Sequence, residues 1–169
     1  MRKLLAGVLS ALVVGCAASP LSQPKGDEEK MTLEHNKAIV RGYMMSEALS
    51  KGNVAALQRY FSDDVVFNNS RDIAQELARV RALRRAFPDL HVTIEDQIAE
   101  GDKVVTRVTF RGTHHGEFGG IAPTGKRVEY SGIAIDRIAD GKVVEMWHLS
   151  NRVGLLEQIG AAPSPAPKK

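Results

Sequence analysis

Few residues of this 169-residue chain have side chains suited to chemistry. They are the histidines His114, His115 and His148, with Tyr130, the pair Asn68-Asn69, and the only cysteine, Cys16. An imidazole titrates close to neutral pH, so His148 becomes a candidate proton acceptor or donor wherever a cavity shelters it. His114 and His115 are adjacent, and neighbours on a strand point to opposite faces. With no carboxylate at a supporting spacing, the histidines give no metal site, and the reading carries neither a metal nor a cofactor. A lone cysteine can form neither an internal disulfide nor a thiolate cluster.

Positioning such groups needs a folded domain, and the composition fits one. The chain is 43% apolar, 25% charged and 5% aromatic, which excludes disordered, collagenous and disulfide-scaffold classes. Arg2 and Lys3 fall in a leader; without them the 23 Lys and Arg become 21, against 20 Asp and Glu. A near-neutral surface has no field to neutralise a phosphate backbone, so no nucleic-acid partner is expected.

Met1-Arg2-Lys3 is a cationic start, and Leu4 to Gly15 an apolar run too short to span a bilayer. Residues 1–15 therefore read as a secretory signal peptide. Val13-Val14-Gly15-Cys16 resembles the lipobox of bacterial lipoproteins, in which the cysteine becomes a lipidated N-terminus. That implies an anchor at Cys16 and a place in the bacterial cell envelope, facing outside the cytoplasm; a plain signal peptide with Cys16 incidental is the alternative. Residues 16–30 are polar and breaker-rich and read as a flexible tether, 31–160 as one domain, and 161–169 as a disordered Pro-rich tail.

Within the domain, Thr32 can cap a helix that buries Leu33, Val40, Tyr43, Met44 and Ala48, and Lys51-Gly52 stops it. Asn53 caps a second helix over Val54 to Phe61, Val65-Val66-Phe67 is a brief strand, and Ser70 opens a third helix burying Ile73, Leu77, Val80 and Phe87 before Pro88 ends it. The period then changes to two. Val92, Ile94 and Ile98 alternate with polar residues, followed by strands over Val104 to Thr113, Arg127 to Arg137 and Val143 to Ser150, and by a closing helix over Arg152 to Ile159 that Asn151 can cap. Glu100 to Lys103 and Ala139 to Lys142 are the hairpin turns. The class is α+β, a curled antiparallel sheet covered by helices on its concave side. Alternation places Val144, Met146 and His148 on one face, and Tyr130, Gly132 and Ala134 on one face of the neighbouring strand. The expectation is a small apolar cavity with His148 and Tyr130 as its polar points. A hydrogen-bonded histidine without chemical duty is the other reading.

Ala86-Phe87-Pro88-Asp89-Leu90-His91-Val92, Thr113-His114-His115-Gly116-Glu117-Phe118, Pro123-Thr124-Gly125, Ile138 to Trp147 and Gly154 to Gly160 together resemble the SnoaL-like polyketide cyclase, or ester cyclase, family. The resemblance spans residues 33–160. It implies the cone-shaped nuclear transport factor 2-like fold, a pocket between sheet and helices, and homodimers. It also implies a cofactor-free intramolecular aldol closure of an ester-bearing polyketide. The cyclases carry the acid-base role on an Asp of the last strand with a His on the strand before it; here those positions are His148 and Ala134. Asn68 or Asn69 falls near an Asn that orients substrate, and turn chemistry is its alternative. The loss of a partner at Ala134 and a short loop before Ser70 favour a second reading, a non-catalytic binding or interaction module.

The opposite face presents Ile133, Ile135, Trp147 and Leu149. A homodimer interface is the expected cover, and burial under the C-terminal helix the alternative. Arg79, Arg81, Arg84 and Arg85 read as a solvated helix side with some attraction to anionic lipid.

Overall fold

The computed structural model describes residues 25–46, 56 and 58–161. The signal peptide, Cys16, the helix stop at Lys51-Gly52 and the cap at Asn53 lie outside the described residues. The elements are α1 (Lys25–Met44), β1 (Phe61–Phe67), α2 (Ile73–Ala86), β2 (His91–Glu100), β3 (Lys103–Thr113), β4 (Arg127–Ala139), β5 (Lys142–Ser150) and α3 (Arg152–Ile159).

Helix α1 starts earlier than Thr32, running back through residues assigned to the tether. Thr32 lies inside it and donates its hydroxyl to the Glu28 carbonyl at 2.9 Å instead of capping. The residues from Gly26 to Thr32 are exposed, while Asn36, Val40, Tyr43 and Met44 are buried against the sheet. Phe61, expected to end a helix, begins β1 instead. Helix α2 starts at Ile73 rather than Ser70, because Asp72 is the cap: its carboxylate accepts from the Gln75 N–H at 3.0 Å. Asn151 caps α3 as expected, accepting from the Gly154 N–H at 3.0 Å, and Gly160 closes that helix at φ 98°.

The five strands form one sheet in the order β1-β5-β4-β3-β2. β2 to β5 are antiparallel, as expected, but β1 joins the edge in parallel to β5. Two irregularities in register change which side chains face inward. One lies between Ile94 and Asp96, so Ile94 packs on the core whereas Ile98 stands on the outer face, 63% exposed. The other lies opposite Arg137 and Ile138, so Val143, not Val144, is the buried residue at the start of β5. The outer face is thus a cross-strand row, Ile98, Val105, Ile135 and Trp147, paired strand to strand, with Ile133 beside Leu149. Within this chain α3 does not cover it.

One buried polar pair fastens α1 to the sheet. The Tyr43 hydroxyl lies 3.1 and 3.2 Å from the two carboxylate oxygens of Asp136, which is fully buried on β4. Burial pushes the Asp136 carboxyl up to about 7, against the lowering effect of the Tyr43 hydrogen bond. A folded-state pKa above the unfolded one favours the folded state below the unfolded value, and that contribution is lost as pH rises from about 4 through 7. Asp136→Asn keeps the volume and removes the titration. The variant is expected to gain about 4 kcal/mol on the wild type between pH 4 and pH 8, read by denaturant unfolding at both. An unchanged difference would show that Asp136 is hydrated.

Candidate functional site

The inner face of β4 reads Val128, Tyr130, Gly132, Ala134, Asp136 and Ile138, bulky at both ends and small in the middle. Two apolar clusters form at those ends. Val40, Tyr43, Phe61, Val104 and Ile138 belong to one, and Phe87, Leu90, Tyr130, Leu155 and Ile159 to the other. Where Gly132 and Ala134 leave room, a cavity of about 580 Å³ opens between sheet and helices, within the usual range for a small-molecule site.

Four of the residues expected to build the site line this cavity: His148, Tyr130, Met146 and Ala134. Ala134 and His148 are directly paired across β4 and β5. Gly132 is required for this arrangement, because a methyl there would stand 3.1 Å from His148 Nε2 and 3.0 Å from Phe110 Cε2. The His148 ring meets the Phe110 ring edge-on, with centroids 6.0 Å apart. Among the described residues neither of its nitrogens has a hydrogen-bond partner. Burial, assisted by the nearby Arg79 guanidinium, brings its pKa down to about 4, so at neutral pH the imidazole carries a lone pair and no charge.

Tyr130 stacks on Phe110 at 4.9 Å and 16°. Burial pushes its phenol up to about 12, partly offset by Arg84 and Arg152. It is a donor throughout the physiological range, and its hydroxyl also lacks a partner among the described residues.

Asn68 is placed differently from expectation. It does not line the cavity; its side-chain oxygen accepts the backbone N–H of His148 at 2.8 Å, and its own N–H donates to the Met146 carbonyl at 2.9 Å. Asn68 and Asn69 both adopt positive φ, 46° and 67°, which is turn chemistry that ties the end of β1 to the residue carrying the imidazole. His114 and His115 follow the end of β3 and differ in burial. His114 is buried, with Nδ1 3.1 Å from the Thr124 hydroxyl, and His115 is exposed.

The arginines are the residues that the sequence reading misplaced. Arg79, Arg81 and Arg85 are exposed and Arg84 is partly buried, but Arg79 and Arg84 line the cavity, and the exposed Arg152 of α3 joins them. The buried stripe Ile73, Leu77, Val80, Phe87 steps by four, three and seven, and the position that divides the seven is Arg84.

The profile of the SnoaL-like polyketide cyclase family matches residues 39–159. The chain belongs to the SnoaL-like polyketide cyclase family. Among solved structures, AclR from Streptomyces galilaeus, a proposed hydroxylase, is 31% identical, with 80% of this chain and 87% of that one covered and a TM-score of 0.71. TsrD from Streptomyces laurentii is 28% identical over 76% of this chain and 97% of that one, TM-score 0.67. IdmH from Streptomyces antibioticus, a proposed polyketide cyclase, is 28% identical over 74% and 98%, TM-score 0.64. Among curated proteins nothing matches the chain. Family membership and the hollow together make this a ligand-binding domain of the cyclase type.

The SnoaL-like chain offers one direct check of its site. Titration of the His148 ring by NMR is expected to give a pKa near 4. A midpoint at the ordinary imidazole value of about 6.5 would place the ring in bulk water.

Proposed function

We propose that the protein is a lipid-anchored, cofactor-free enzyme that binds a small, mostly apolar carbonyl compound and uses His148 to remove a proton from a carbon next to that carbonyl. Cyclisation, isomerisation and hydrolysis all begin with such a transfer or with its equivalent on water. The observation that carries the reading is an imidazole with no hydrogen-bond partner among the described residues, opening into a mainly apolar cavity at the position that the family resemblance matches to an Asp.

The altered residue remains chemically consistent. Burial takes imidazole from its ordinary pKa down to about 4, which is carboxylate-like basicity. A desolvated His148 therefore stands in for the Asp in strength as well as place. The loss of a histidine partner at position 134 is consistent too, since Ala134 leaves the space that the imidazole faces. Tyr130, neutral and without a hydroxyl partner among the described residues, supplies a hydrogen bond to the carbonyl oxygen as charge develops on it. Met146 forms part of the apolar wall. Anchoring at Cys16 would keep this chemistry at the envelope, outside the cytoplasm.

Exchange of the α-protons of 2-tetralone in D2O, followed by NMR, tests the base without knowledge of the natural substrate. Wild-type protein is expected to accelerate exchange, and His148→Gln to lose about a hundredfold of that acceleration. Equal exchange by both proteins would leave a binding module in place of the enzyme.

The outer face supports a homodimer. Ile133 is 49% exposed and Leu149 81% exposed in the isolated chain, in line with Ile135 and Trp147, and a contiguous apolar row of this kind is normally covered. Sedimentation of the wild-type domain is expected to show a dimer, and Ile133→Lys with Leu149→Lys a monomer that retains the wild-type fold by circular dichroism. A wild-type monomer at all concentrations would remove the interface.

A further inference from the structure

The cavity carries more positive charge than an apolar ligand requires. Arg79 is balanced by Glu76, 3.2 Å away on the same helix. Arg84 and Arg152 have no carboxylate partner among the described residues. Arg84 is partly buried, and one of its nitrogens donates to the Leu90 carbonyl at 2.6 Å, which fixes the guanidinium while leaving other N–H groups unspent. Arg152 is the first residue of α3, where a cation opposes the helix dipole. It is nevertheless held over the Phe118 ring at 5.2 Å, at the wall of the cavity. Leu90, which Arg84 bonds, and Phe118, beneath Arg152, both pack in the apolar cluster that holds Tyr130, so the three groups lie at one end of the cavity, between α2, α3 and β4.

We propose that this corner holds an organic carboxylate, so that the ligand is an amphipathic acid with its apolar body along Phe110, Val92 and Val108 and its carboxylate held by Tyr130, Arg84 and Arg152. The proposal rests on the cavity being a ligand site, and it departs from the ester that the family resemblance implies. A planar guanidinium fork matches a carboxylate in two parallel hydrogen bonds, and a phenol adds a third donor. Two monovalent cations, one already bonded to the backbone, suit a single negative charge. The rest of the cavity wall is mainly apolar and suits a hydrocarbon or aromatic body.

Fluorescence titration with 2-anthracenecarboxylic acid and with its methyl ester separates charge recognition from shape. The full protein is expected to bind the acid about tenfold more tightly than the ester at pH 7.5. Arg84→Gln and Arg152→Gln are each expected to weaken acid binding several-fold while leaving ester binding unchanged, and the double variant to bring the two affinities together. Arg84→Lys, which keeps the charge and a donor for Leu90, is expected to restore most of the preference. Equal affinity for acid and ester in the wild type would overturn the carboxylate site while leaving the cavity and the His148 reading intact. Equal loss of both ligands in the glutamine variants, with unchanged melting temperature, would reduce the arginines to shaping groups and overturn it as well. If neither compound binds, the cavity itself is not a ligand site for such skeletons, and both readings fall together.

Discussion

The structure depends on one constraint, the size of the side chains along the inner face of β4. A sheet that curls around helices closes on itself by filling its interior, and most domains of this size fill it completely. Here Gly132 and Ala134 withhold volume at the middle of the strand, while Tyr130 on one side and Ile138 on the other reach across to the helices. Phe110 packs against both apolar clusters and bridges the gap between them. The hollow is therefore held open by its two ends, each of which is an ordinary hydrophobic core.

Two titratable groups facing the interior behave in opposite ways for the same reason. Desolvation disfavours whichever form carries charge, so it lowers the pKa of His148 and raises that of Asp136. The inner face thereby carries less charge than an acid and a base would carry in water. Against that background, the partly buried Arg84 near Tyr130 counts for more than it would on a solvated surface, because lower dielectric strengthens its charge.

Much of this arrangement is legible in the sequence. The alternation of Tyr130, Gly132 and Ala134 predicts an inner face, and the pairing with Met146 and His148 follows once the Asp140-Gly141 turn fixes the register. Alternation fails at the two bulges. Ile98 has the right parity for the core, yet the irregularity near Asp96 turns it outward, and the same effect exchanges Val144 for Val143. Nothing local marks a bulge whose cause is the curvature of the whole sheet. The Tyr43–Asp136 contact joins residues 93 positions apart and has no sequence signal beyond an acid on an otherwise apolar face. Arg84 is different, because its place on the buried stripe of α2 can be counted from the helical period. A run of four arginines suggests a solvated surface, and that suggestion obscures the phase of the one that turns inward. Asn68, expected to face the ligand, is turn chemistry instead, and its bond to the His148 backbone depends on the parallel edge strand, which sequence patterning does not reveal.

Trp147 and His148 are consecutive residues on β5, so the indole and the imidazole project from opposite sides of a single peptide unit. The wall separating the reaction vessel from the outside is one polypeptide thick. Whatever leans on the indole shifts the plane that carries the imidazole, with no intervening layer to absorb the displacement. A substitution at Trp147 on the outside is consequently felt at the cavity wall that His148 forms.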